Sequence, residues 1–298
     1  MNLGNIGTAM VTPFTKDGAM VDYKHLAGMI EHLINNGSDS IVVLGTTGEV
    51  PTLSTEEKLD VLKYTVDQVN GRVPVIAGVG DNETYYSKIM AQKAEVAGVD
   101  GVMLVAPYYN KPNQRGIYAH FEDIAQSVSV PVMLYNIPGR TGINITPETV
   151  AKLSKIPNIQ IIKEASGDID QMSSILAATD DDFKVYSGDD GLTLPLLAVG
   201  GHGVISVAAH VVGNDMQRMI SLFKEGRHAE ASKIHQALLP LIRALFAHPN
   251  PSPVKYALSK LGLCNDNVRL PMVELTPEEK AEFDVVWDHY FQLQKTFA

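Results

Sequence analysis

The sequence predicts a (β/α)₈ barrel with a helical appendage, and three observations carry the prediction. Eight short, β-branched apolar runs recur along most of the chain, amphipathic segments lie between them, and each β-then-α cycle takes about 20 to 35 residues. The runs are "IGTAMVTPF" (6–14), "SIVVLGTT" (40–47), "VPVIAGVG" (73–80), "GVMLVAPYY" (101–109), "VPVMLYNIP" (130–138), "IQIIKEAS" (159–166), "FKVYSGDD" (183–190) and "GVISVAAH" (203–210). Each is apolar on both parities, as a strand covered on both faces must be. The segments "YKHLAGMIEHLINNG" and "STEEKLDVLKYTVDQVNG" repeat their apolar residues at helical spacing and stop at glycine, and Ser54 or Thr55 supplies an N-cap. Eight parallel strands with right-handed crossovers close into a barrel, whereas an open doubly wound sheet has fewer strands and a reversal of order.

The eighth cycle ends near "SLFKEG". Residues 1–225 are therefore expected to form the barrel that carries the active site, and residues 226–298 a C-terminal helical segment broken at "HPNPSP". With no strand to pair with, this segment is expected to lay its apolar stripe on the barrel or on another subunit.

Composition narrows the function. The 298 residues are 45% hydrophobic and 19% charged, an ordinary globular balance, and the formal charge of -10 with no basic block argues against nucleic acid. No apolar run approaches the roughly 20 residues that span a bilayer, and "MNLGNIGTAMVTPF" has no secretory pattern, so no membrane association and a cytoplasmic location are expected. A single cysteine, Cys264, precludes an internal disulfide framework and reads as a packed thiol.

In such barrels the chemistry sits at the C-terminal ends of the strands. His202, just before the eighth strand, and Asp180 to Asp182, before the seventh, lie at the other end and read as structural. At the functional end stand "GTTGE", "PYYNKP", "YNIPGRTG", Lys163, "SGDD" and "GVISVAA". Strand alternation puts Lys163 on a face with Ile161 and Ile159 and Glu164 on the other, so one of the two looks into the barrel mouth. If it is Lys163, desolvation lowers its pKa and leaves an amine able to attack a carbonyl. The strand alone favours a lysine that snorkels into solvent. The neighbours favour the reactive reading, because Tyr109, Tyr135 and Thr46 end nearby strands with hydroxyls that can move protons without a histidine. "GTTGE" offers freed backbone N–H groups and two hydroxyls to a carboxylate, and Arg140 a planar donor to a second one. Asp189 and Asp190 follow the seventh strand, so a phosphorylated substrate would meet like charge there. No metal-ligand or dinucleotide motif occurs, and neither a metal nor a cofactor is expected.

Together "GTTGE", "YNIPGRTG", "IIKEASGD" and "SGDD" resemble the pyruvate-dependent class I aldolases of the N-acetylneuraminate lyase and dihydrodipicolinate synthase family, along the whole barrel and into the tail. The double threonine and Arg140 fit the synthase branch better than the sialic acid lyases. The resemblance implies that Lys163 forms an imine with pyruvate and that the resulting enamine attacks aspartate 4-semialdehyde, with cyclisation releasing the enzyme. It implies Tyr135 as proton donor and acceptor, and Thr46 between it and a Tyr109 that reaches across a dimer interface. Thr47 would hold the pyruvate carboxylate and Arg140 that of the semialdehyde, while Gly188 and Ile205 line the pocket with backbone groups. A homodimer or dimer of dimers follows. A second aldolase of the family, acting on a sugar-derived aldehyde, or a non-catalytic member remains the alternative. Lysine-sensitive members carry histidines and a glutamate where this chain has Thr55, Lys58 and Tyr86, with Asn82 and Tyr108 retained, so weak or absent lysine feedback is expected.

Overall fold

Each of the eight apolar runs forms a strand: β1 (Ile6–Ala9), β2 (Ser40–Val43), β3 (Val75–Gly78), β4 (Gly101–Val105), β5 (Val132–Asn136), β6 (Ile159–Glu164), β7 (Lys184–Ser187) and β8 (Gly203–Ser206). All pair in parallel and in sequence order, and β8 returns to β1 to close the barrel. The computed structural model describes residues 1–297, without the side chains of residues 293 and 295–297.

The crossovers are α1 (Tyr23–Asn35), α2 (Thr55–Val69), α3 (Thr84–Val96), α4 (Gln114–Ala125), the short α5 (Pro138–Thr141) with α6 (Pro147–Leu153), then α7 (Ile169–Ala178), α8 (Thr193–Ala198) and α9 (Ala209–Lys224). Local chemistry starts them. Ser54 caps α2, accepting from the Glu57 N–H at 3.1 Å while the Glu57 carboxylate accepts from the Ser54 N–H at 2.9 Å. Asp22, Asn113 and Asp168 cap α1, α4 and α7 through their side chains.

Two apolar layers result. Inside the barrel, Ala9, Val42, Ile76, Met103, Met133, Tyr135, Ile161, Tyr186 and Ile205 fill the lumen. Outside it, residues of the opposite parity pack against the helices. Because both faces of every strand are covered, water is excluded from the sheet on both sides.

The strands keep the expected alternation except at one place, where an expectation is corrected. Val132 pairs with Ile159 but Met133 pairs with Ile161, so β6 carries one extra residue, Gln160. The bulge turns Ile159 into the outer layer while Ile161 and Lys163 stay inside. Lys163 therefore shares a face with Ile161 and not with Ile159.

Beyond α9 the chain is helical, in α10 (His228–Leu245), α11 (Ser252–Lys260) and α12 (Pro277–Phe297), with Ala298 outside the described residues. It folds back on the barrel. Leu238, Leu241, Ile242 and Leu245 of α10 and Val254, Ala257 and Leu258 of α11 join the outer apolar layer. Arg269, between α11 and α12, makes a two-pronged contact with Glu57 of α2 at 2.7 and 2.8 Å. No described helix is long and apolar enough to cross a membrane.

Candidate active site

Lys163 sits one residue before the end of β6, between Tyr135 of β5 and Tyr186 of β7. It is 5% exposed. Its Nζ lies 4.3 Å from the centroid of the Tyr135 ring, and among the described residues it has no ion pair or hydrogen bond. The ring face favours the cation by about 1–2 kcal/mol. Burial outweighs it: desolvation pulls the amine from 10.5 down to about 8, helped by the Arg140 charge and opposed by Asp190. About a tenth of the amine is then neutral at pH 7, some three hundred times the fraction of a free lysine.

The other candidate on the strand takes the opposite face. Glu164 is fully buried outside the lumen, where its carboxylate accepts from Asn136 Nδ2 at 2.9 Å, Ser166 N–H at 2.7 Å and Gln171 Nε2 at 3.2 Å, and burial raises its pKa. Asn136 in turn bonds Asn144 at 2.7 Å and accepts from the Ile145 N–H at 3.0 Å. This network ties down both ends of the loop that carries Arg140.

Tyr135 is 5% exposed, and its hydroxyl is pushed up to about 12 by burial, against the Arg140 charge and a hydrogen bond from Thr46. Thr46 begins a 3-10 turn, Thr46 to Gly48, just past β2. The turn is tight: Leu44 and Glu49, on either side of it, adopt left-handed backbone at φ 57° and 55°. Gly78 makes room for it, since a Cβ there would stand 2.3 Å from the Leu44 carbonyl oxygen. Thr47 is buried, and its Oγ1 accepts from Asn250 Nδ2 at 2.9 Å.

Gly188 follows β7 and donates its N–H to the Glu164 carbonyl at 2.7 Å. A Cβ at this position would meet Lys163 Cε at 3.1 Å and Ala165 Cβ at 2.7 Å, so any larger residue would displace the lysine. Ile205 lies in the lumen, 1% exposed. Arg140, on α5, is exposed without an ion pair among the described residues and lines two cavities. One, of about 520 Å³, runs from Ala165 and Gly188 to Leu239, Arg243 and Phe246 of α10 and its C-terminal turn. The other, of about 230 Å³, holds Thr46, Gly80, Asp81, Lys58, Tyr86 and Tyr108.

The structure thus brings together Lys163, Tyr135, Thr46, Gly188 and Arg140, with Thr47 next to Thr46 in the turn. Tyr109 is not among them. Its side chain is 87% exposed, and its backbone is left-handed at φ 71°.

Asp190 departs from its expected role. It does not face a ligand as like charge but turns inward, 1% exposed, where its carboxylate accepts from the Ser206 hydroxyl and from the N–H groups of Val207 and Ala208, both at 3.1 Å. The end of β8 is thereby stitched to the loop after β7. Asn250, Leu239 and Phe246 were not anticipated from sequence; the only signal was the polar amide inside the proline-flanked break "HPNPSP".

Thr55, Lys58 and Tyr86 also meet. The Tyr86 hydroxyl lies 3.4 Å from both Thr55 Oγ1 and Lys58 Nζ.

Comparison with known proteins adds lineage to this geometry. The model of the dihydrodipicolinate synthetase family matches residues 2–289. A 4-hydroxy-tetrahydrodipicolinate synthase of Bacillus velezensis is 58% identical over 286 residues, 96% of this chain and 99% of that protein. The crystal structure of a dihydrodipicolinate synthase from Bacillus anthracis superposes with a TM-score of 0.95 at 51% identity, covering 97% of this chain and 98% of that one. A dihydrodipicolinate synthase from Cyanidioschyzon merolae, solved with lysine bound, superposes with a TM-score of 0.95 at 46% identity, over 97% and 98% of the two chains.

Proposed function

The chain belongs to the dihydrodipicolinate synthetase family, and on that premise we propose that it carries out the reaction of the 4-hydroxy-tetrahydrodipicolinate synthases. Pyruvate and aspartate 4-semialdehyde condense at Lys163, in the pathway toward diaminopimelate and lysine. The observation that carries this is the buried amine without an ion-pair partner among the described residues, set over the ring of a buried tyrosine at the end of the neighbouring strand.

The neutral Nζ of Lys163 attacks C2 of pyruvate, and loss of water leaves an imine whose cationic nitrogen acidifies the methyl group. Removal of a methyl proton gives the enamine, and its carbon forms the new bond to the aldehyde. The amino group of the semialdehyde then adds to C2, displacing Lys163 and closing the ring. Tyr135 moves the protons. With a hydroxyl pKa pushed up to about 12 it stays protonated at neutral pH and acts first as donor. Thr47 and the N–H groups of its turn hold the pyruvate carboxylate, and Arg140, facing the open cavities, holds that of the semialdehyde. Gly188 and the backbone of Ile205 border the keto acid.

Tyr109 is exposed on its own chain and has no hydrogen bond to Thr46 among the described residues, so the relay Tyr135–Thr46–Tyr109 needs a second copy of the chain to supply its tyrosine. A homodimer, alone or doubled into a tetramer, is the working unit, and it works in the cytoplasm. Lys58 brings like charge to a lysine ligand and Tyr86 offers its ammonium no carboxylate, so feedback by lysine is weak: millimolar L-lysine leaves the rate within about twofold.

Borohydride reduction in the presence of pyruvate tests the reading. It should leave a stable adduct whose mass maps to Lys163, and a panel of aldehydes should show turnover with the semialdehyde above sugar-derived ones. An unmodified Lys163 would refute the assignment.

A further inference from the structure

The strand ends do not hold the "GTTGE" turn by themselves. Two side chains from the C-terminal segment, one in the turn between α10 and α11 and one on α11, reach more than two hundred residues back to it. Asn250, in "HPNPSPVK", is 6% exposed and donates Nδ2–H to Thr47 Oγ1 at 2.9 Å. Lys255, on α11, puts its Nζ 2.5 Å from Glu49 Oε1, with both side chains essentially inaccessible, at 0% and 1%. The second oxygen of Glu49 accepts from the Arg269 N–H at 2.9 Å, and Lys255 also donates to the Asn267 carbonyl at 3.0 Å. From the other side Thr12, past β1, donates its hydroxyl to the Gly48 carbonyl at 2.7 Å.

We propose that the segment from Asn250 to Lys255 is a positioning element for the keto-acid carboxylate site, in which Asn250 sets the direction of the Thr47 hydroxyl proton and the Lys255–Glu49 pair fixes the turn that carries it. The inference rests on the assignment of Thr47 to the pyruvate carboxylate.

The argument is one of hydrogen-bond polarity. A threonine hydroxyl has one proton and an oxygen that accepts. In Thr47 the oxygen already accepts from the Asn250 amide, and the hydroxyl proton has no acceptor among the described groups. That proton is left for an anion in the site. A carboxylate at position 250 would invert the bond, drawing the Thr47 proton to itself and setting a negative charge beside the substrate's own. An alanine would only free the hydroxyl to rotate. The ion pair acts one step further back. Glu49 follows the two threonines in a left-handed conformation that a glutamate does not prefer, and its carboxylate is gripped on both oxygens. Fixing the turn before substrate arrives spares the ordering that binding would otherwise have to impose.

The order of two variants separates this from a packing role. Asn250→Asp is nearly isosteric and should raise the pyruvate concentration for half-maximal borohydride trapping, and the pyruvate KM, by about a hundredfold, with Asn250→Ala at about tenfold. The KM for the semialdehyde should stay within about twofold of the parent in both. Packing alone would make alanine the worse of the two, and that order, or an unchanged pyruvate dependence, overturns the proposal. Should the aspartate variant not fold, the double variant Glu49→Gln/Lys255→Met decides. It removes both buried charges together, so a folded protein still trapped at Lys163 is expected, with half-saturation raised about tenfold. Unchanged half-saturation there also overturns the inference. If the parent protein itself forms no adduct at Lys163, the functional reading has failed; if the parent is trapped and the variants match it, only the positioning role has.

Discussion

Among the described residues two lysines lie buried, and they differ in what meets the ammonium. Lys163 and Lys255 are 5% and 0% exposed, and each sets its ammonium over an aromatic ring, Tyr135 at 4.3 Å and Phe14 at 4.1 Å. Burial pushes the pKa of both downward. Lys255 has a carboxylate in contact and a carbonyl to accept a second proton. Lys163 has neither, and beside the Tyr135 ring only the more distant Asp190 charge opposes its deprotonation. Burial and an aromatic face are common to both sites, so they do not make a lysine reactive. The missing counter-ion does, because an ammonium taken out of water without a partner relieves its desolvation by losing the proton.

The sharpest break of this contrast is covalent. Lys163→Met should abolish pyruvate trapping and lower kcat by at least about a thousandfold while the barrel stays folded. Adduct mass appearing at Lys255 in that variant would show that the carboxylate does not protect it.

Stability comes next. Lys255→Met leaves Glu49 buried without a partner and should cost about 3–5 kcal/mol, read as a fall in the denaturant midpoint, with trapping at Lys163 retained. Lys163→Met should do the reverse. The folded pKa of Lys163, about 8, lies below the unfolded 10.5, so the folded state binds fewer protons between those values and its stability rises with pH across that window. Below about pH 8 the penalty is complete, at about 3 kcal/mol, and the methionine variant should be more stable by up to that amount. The advantage should shrink between pH 8 and 10.5. A gain that does not vary with pH would mean it came from packing instead.

The same titration governs rate. Trapping at sub-saturating pyruvate should climb about tenfold per pH unit below pH 7 and level off above about pH 8. The smallest effect tests a neighbour. Because the Arg140 charge helps lower the amine, Arg140→Ala should move that plateau upward by a fraction of a unit. It should also raise the KM for the semialdehyde by about tenfold or more, well beyond its effect on pyruvate. An unmoved plateau would mean that the Arg140 charge does not reach the amine.

Periodicity and spacing were enough to read the order of eight strands, the position of Lys163 at the end of the sixth, the hydroxyls of Tyr135 and Thr46 at neighbouring strand ends, and the Gly-rich turn of Thr47. These are local matters: an apolar run and the turn that follows it declare themselves within ten residues. Other features depended on what lies across the fold. The extra residue Gln160 moved Ile159 off the face of Lys163, which no alternation rule contains, because a bulge is defined by the partner strand. Asp190 reads from sequence as like charge toward a phosphorylated substrate, but the end of β8 and the residues after it offer it a hydroxyl and two N–H groups. Tyr109 shares the strand-end signal of Tyr135, yet its left-handed backbone turns it outward.

By itself, then, the sequence determined the barrel, the ends at which its loops gather, and the residue types available there, since these follow from patterns of a few residues acting on the backbone. Tertiary structure alone decided which buried lysine has a counter-ion and that the C-terminal helices grip the turn carrying Thr47. The physical reason is separation: Asn250 and Thr47 stand 203 residues apart in the chain, and the charge state of a buried group is set by whatever surrounds it in space.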